Sequence, residues 1–246
     1  MHNDDDHKPD QKDNVINFVP SEKIKCEKKK RKSKKPMQPQ HPPMLNIPET
    51  TKRLAGIILG IHLLLFLANL TIAPQTSQIA NSLGGFISGS WTGAAPWFWW
   101  TPLTPITSMF LHGSWMHVGV NLLMMVAIGS GVEKWLGSKR YLLIFMGSGV
   151  VALLTHLAFD TFSDIPVVGA SGAISGLFGA IILGMRSGNT LAAPLGSSMM
   201  PVILLYIGIS ILMGIMGSPD GSNVAWIAHI GGFLGGIAIT HQLLKS

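Results

Sequence analysis

Two short stretches of the sequence carry groups that could do nucleophilic chemistry. Gly169-Ala170-Ser171-Gly172-Ala173 offers a hydroxyl, and Ala228-His229-Ile230-Gly231-Gly232 offers an imidazole. A serine hydroxyl is a poor nucleophile until a base within hydrogen-bond reach takes its proton. A neutral histidine can take that proton and later return it to a leaving group. A third stretch, His117-Val118-Gly119-Val120-Asn121, sets an imidazole and an amide four residues apart, on one face if the segment is helical. Both carry N–H donors suited to a developing oxyanion, as does the backbone N–H of Ser171 if a helix starts there. No buried Asp or Glu is placed to orient His229, so the pattern predicts a dyad and not a triad. No cluster of Cys, His and acids has metal-ligand spacing, and there is no His-Glu-x-x-His, so neither a metal nor another cofactor is expected.

The elements that must position these groups are apolar. Of 246 residues 47% are hydrophobic and only 12% are charged, about half the charged fraction of a soluble domain. Apolar stretches recur near 54–73, 115–133, 141–159, 169–186, 199–217 and 225–244. Each approaches the ~20 residues that cross a bilayer as a helix. Because backbone polar groups must be satisfied within lipid, these are read as helices, not strands. The predicted fold is all-α, a polytopic membrane bundle of six transmembrane helices over 51–246.

Charge gives the orientation. All Lys and Arg precede Leu54 except Lys134, Lys139, Arg140, Arg186 and Lys245. Those five follow spans two, four and six, while the loops near 74–114, 160–168 and 218–224 hold only Asp160, Asp164 and Asp220 as charged residues. By the positive-inside rule both termini are cytoplasmic. Spans two, four and six then descend from the outer side, which puts His117, Asn121, Ser171 and His229 at one shallow outer level. Residues 1–50 are polar and proline-dotted, and are read as a disordered basic cytoplasmic tail. The run Lys28–Lys35 reads either as a solvated topogenic tail or as a contact with anionic lipid head groups, and no nucleic-acid partner is expected. The sole cysteine, Cys26, lies in this tail and permits no disulfide within one chain. The chain opens on acids with no apolar core, unlike a signal peptide.

Other polar groups in the spans have blander readings. His62, His156 and His241 have no motif around them and read as buried structural histidines. Trp91, Trp97, Phe98, Trp99 and Trp100 crowd the first outer loop, as expected of a segment lying in the membrane interface. Gly172 and Gly176 beside the serine, and Gly232 and Gly236 on the face of His229, form small-residue seams that let helices approach closely in lipid.

Taken together, Gly169-Ala170-Ser171-Gly172-Ala173, Ala228-His229 with Gly232, and His117 followed by Asn121 and preceded by His112 resemble the rhomboid family of intramembrane serine proteases, over roughly 54–244. The resemblance, to the bacterial-type six-span form, implies a serine endopeptidase with Ser171 as nucleophile, His229 as base, and His117 and Asn121 as oxyanion stabilisers. It implies a structural role for His112, with Gly169, Gly172 and Gly232 supporting the site. It further implies single-span membrane protein substrates cut near the outer face, and a place in the prokaryotic plasma (inner) membrane. The chain departs from the family pattern at three places. Glu133-Lys134-Trp135 stands where Glu-x-Arg is frequent, the first outer loop has no arginine for a Trp-Arg pair, and Ser175 occupies a position that is often aromatic. A catalytically dead relative would lack the serine or the histidine, and a transporter would place its polar groups nearer the midplane; neither fits this pattern.

Overall fold

The structure is a computed structural model that describes residues 47–186, 208 and 226–246. The tail as far as residue 46, and the fifth predicted span at 199–217 apart from residue 208, lie outside the described residues. What is described is helical, with one isolated β-bridge.

Helix α1 (Glu49–Thr71) follows Pro48, whose missing N–H costs nothing at a helix start. Its buried residues, Thr51, Leu54, Ile58 and His62, recur every three or four positions and form one inward stripe. The remaining surface is apolar as well: Ile57, Leu63, Leu64, Leu67 and Leu70 are all exposed. A helix apolar on both its packed and its open faces suits lipid, not water. Helix α2 (Thr76–Gly84) and the short α3 (Ser88–Thr92) and α4 (Thr104–Thr107) occupy the long loop that follows.

Helix α5 (Trp115–Met124) passes through a wider π-turn at Met125–Gly129 into α6 (Ser130–Phe159). The whole run is 45 residues long, twice what one crossing needs. It reverses at Gly137, whose φ of 79° and ψ of 164° are not helical. A side chain at that positive φ would be strained, so glycine is the residue that allows the turn. Tyr141 accordingly lies back against Gly129, its hydroxyl 3.1 Å from where a Cβ there would stand. The loop expected between spans two and three is thus two helix ends meeting at one residue. Helices α7 (Ser171–Arg186) and α8 (Trp226–Lys245) complete the described bundle. By length and composition α1, the α5–α6 run and α8 can cross a membrane, and Ser171–Gly184 is a shorter apolar helix.

Helices α7 and α8 touch backbone to backbone. A Cβ on Gly232 would collide with the Gly172 carbonyl, one on Gly236 with the Gly176 backbone, and one on Gly179 with the Phe233 carbonyl. Helix α6 closes the third side through Ala152, 2.6 Å from a Cβ placed on Gly172. The side chain of Ser148 fills the space beside Gly176 and reaches the Ala173 carbonyl at 3.3 Å. The predicted seams therefore exist, and they join the two helices that bear the serine and the histidine.

At the opposite end of the bundle Glu133 does what the sequence did not reveal. Its carboxylate accepts the Thr50 N–H at 3.0 Å, the Thr51 N–H at 2.7 Å, the Thr51 hydroxyl at 2.8 Å and the Ser138 hydroxyl at 2.9 Å. The first-turn N–H groups of a helix have no partner within it and carry its positive end. Glu133 thus caps α1 from 82 residues away, with no arginine needed. Glu133→Ala leaves those donors buried and unmatched, a loss of about 1–3 kcal/mol. It should show as a lower unfolding temperature in detergent micelles; an unchanged temperature would count against the clasp.

Candidate active site

Ser171 is the first residue of α7, and the chain reaches it through two ties to the long loop. Phe86 and Val167 exchange backbone hydrogen bonds in an antiparallel bridge, Phe86 N–H to Val167 at 3.0 Å and Val167 N–H to Phe86 at 2.8 Å. The Gly169 N–H then donates to the Ser108 carbonyl at 2.8 Å. Gly169 itself has φ 118°, a conformation rarely open to other residues. Its missing side chain leaves room for a neighbour, because a Cβ there would lie 2.6 Å from His117 Nε2 and 3.8 Å from Asn121 Nδ2.

His229 lies one turn into α8. Its Nε2 is 2.8 Å from Ser171 Oγ, a hydrogen bond across 58 residues of sequence. Ala228 and Gly232 beside it are buried, and the glycine seam below sets the separation of the two helices. No carboxylate contacts His229 among the described residues. Ser175, one turn below the serine, donates to the Ser171 carbonyl at 2.7 Å and does not cover the imidazole with a ring. Deeper on the same two helices, Phe178 and Phe233 meet ring to ring at 5.9 Å.

His117 and Asn121 stand on α5 as their spacing predicts. Ser114 caps that helix, its hydroxyl accepting the His117 N–H at 3.1 Å. The Asn121 amide donates to the His117 carbonyl at 2.9 Å. An amide nitrogen has two N–H donors, so one remains for a group near Gly169. His112 lies just before α5 and is almost fully buried. Burial, and then the His117 and His62 imidazoles, hold it down at about 3, against a weaker opposing pull from the Phe110 carbonyl. It is therefore a neutral ring packed 5.0 Å from His117.

All the residues singled out from the sequence thus meet around the start of α7: Ser171, His229, His117 and Asn121, with Gly169, Gly172 and Gly232 making the room and His112 behind His117. The described residues contain no group of His, Cys and acids able to hold a metal. The arrangement could activate a hydroxyl and offer donors to an oxyanion beside it.

Similarity to known proteins agrees with this geometry. The rhomboid domain family model matches residues 96–246, which carry every one of these groups. The chain is 32% identical over 139 residues to rhomboid protease GluP of Bacillus subtilis, covering 56% of this chain and 25% of that one. It is 30% identical over 154 residues to YdcA of the same organism, 63% of this chain and 72% of that one. Rhomboid-type serine protease 2 of Emericella nidulans is 28% identical over 153 residues, 62% of this chain and 28% of that one. The chain thus spans only a quarter of the length of GluP. A family-model match over residues 96–246, more than half of the chain, makes this protein a member of the rhomboid family.

Proposed function

We propose that the protein is an intramembrane serine protease that cuts single-span membrane protein substrates near the outer face of the bilayer. The observation that carries this is the 2.8 Å contact between Ser171 Oγ and His229 Nε2, at the point where α7 begins. The hydroxyl proton passes to His229 Nε2 as Oγ attacks the scissile carbonyl carbon. The oxyanion that forms is met by His117, by the second N–H of Asn121 and by the backbone N–H of Ser171. His229 then donates the proton to the leaving amine, and the C–N bond breaks. A water gives a proton to His229 and adds to the acyl carbon; as the Oγ–C bond breaks, His229 returns that proton to Oγ, which restores the free hydroxyl. Dyad chemistry is sufficient for this, and no carboxylate among the described residues contacts the imidazole.

The charge distribution supports an arrangement with both termini cytoplasmic and the dyad toward the outer side of the plasma (inner) membrane. The Lys28–Lys35 run then faces anionic lipid of the inner leaflet. The test is reconstitution with a tagged single-span substrate, plus mapping of the fluorophosphonate adduct. Cleavage on the extracytoplasmic side and an adduct on Ser171 are expected. Cleavage that persists with Ser171 fully blocked would reject the proposal.

A further inference from the structure

His62 reads in the sequence as an isolated structural histidine, and the fold gives it neighbours that the motifs do not. It sits in the middle of α1, nearly buried, and its ring stands edge-on to Trp115 at 4.6 Å with an interplanar angle of 89°. The same ring stands at 89° to His112, 6.5 Å away. His112 in turn meets His117 at 5.0 Å and 70°. Three imidazoles from three separate elements therefore run in a row, and the last of them lies against Gly169 beside the nucleophile.

Two features make the row more than packing. His112 is nearly fully buried, and two rings bear on it edge-on, one of them that of His62. Trp115 is the first residue of α5, two before His117, so His62 touches both the approach to that helix and its first turn. An ionisable side chain in the middle of a span is costly and calls for a reason. Edge-to-face ring pairs have a preferred geometry that aliphatic contacts lack.

We propose that His62 is a positioning residue for His117, fixing through His112 and Trp115 the ring that faces the oxyanion. The inference rests on the proteolytic reading, since it assigns His62 to the same site. A misplacement of about 1 Å at a reacting group costs on the order of 10²-fold, so a partial shift transmitted through two rings should cost about ten-fold.

The test is a cycle in reconstituted protein, read as the rate of fluorophosphonate labelling per folded molecule and as kcat and KM for a single-span substrate. His62→Leu and His62→Gln should each lower the labelling rate and kcat about ten-fold with KM unchanged. His62→Phe, which can keep a ring edge-on to Trp115, should stay within about three-fold of wild type. In a His117→Ala background, His62→Leu should have no further effect, because the group it positions is gone. Wild-type rates in both His62→Leu and His62→Gln would overturn the proposal. So would an undiminished effect of His62→Leu in the His117→Ala background. Wild type set against Ser171→Ala in the same assay checks the proteolytic reading separately.

Discussion

Ser171→Ala and His229→Ala should each lower substrate cleavage by on the order of 10⁴-fold or more, and the double variant should be no worse than either alone. The reason is the single hydrogen bond that joins them, 2.8 Å long between Oγ and Nε2. In the proposed mechanism, no acyl-enzyme forms without the hydroxyl, and the hydroxyl keeps its proton without the imidazole. Each loss removes the same step, so the losses do not add. Both variants should keep the fold. The space beside each residue is set by Gly172 and Gly232, and truncating a side chain to alanine leaves that seam intact. Cleavage rates of the three variants, measured at equal folded protein, check this. Additive losses would mean that Ser171 and His229 act in separate steps.

The two halves of this site were legible from the residues to different degrees. His117 and Asn121 are four apart on one helix, and local periodicity alone puts them together. Ser171 and His229 are 58 residues apart, and no local rule joins them. Their glycines announced close helix packing without saying which helix faced which, so the expectation that they meet rested on complementary chemistry, on a shared shallow outer level and on the family resemblance. The fold then supplied the cause, in carbonyls of Gly172 and Gly176 lying where side chains of Gly232 and Gly236 would have been.

What the residues did not disclose has a common physical origin. Glu133 and its partners Thr50 and Thr51 are more than 80 residues apart, and an acid at the end of an apolar stretch looks like any solvated loop residue. The first span was read from about residue 54, so neither the start of α1 at Glu49 nor the source of its cap was visible. His62 had no motif because its partners come from the loop before α5 and from the first turn of α5, a contact between elements. Gly137 looked like an ordinary loop glycine, and only its positive φ shows that one residue makes the reversal. Periodicity reports which face of a helix is buried; it does not report what covers that face.

The seam that couples α7 to α8 gives the second large effect. In Gly236→Val the new Cβ would overlap the Gly176 carbonyl and Cα, and backbone cannot rotate away as a side chain can. The helices must separate, and overpacking of this kind costs about 1–3 kcal/mol. The same movement opens the gap above, where Oγ and Nε2 stand 2.8 Å apart. Gly236 lies seven residues, about 10 Å along the helix, from His229. A displacement of about 1 Å passed along that lever is enough to cost on the order of 10²-fold in rate. Labelling of Ser171 per folded molecule should therefore fall about that far, beyond any loss of folded protein. Gly60→Ala is the contrast: nothing lies within 4 Å of its added Cβ, and alanine favours the helix. That variant should label at the wild-type rate and melt no lower. If Gly236→Val also labels at the wild-type rate once folded protein is equalised, then helix separation does not set the dyad distance, and the serine and histidine are held together by something other than this seam.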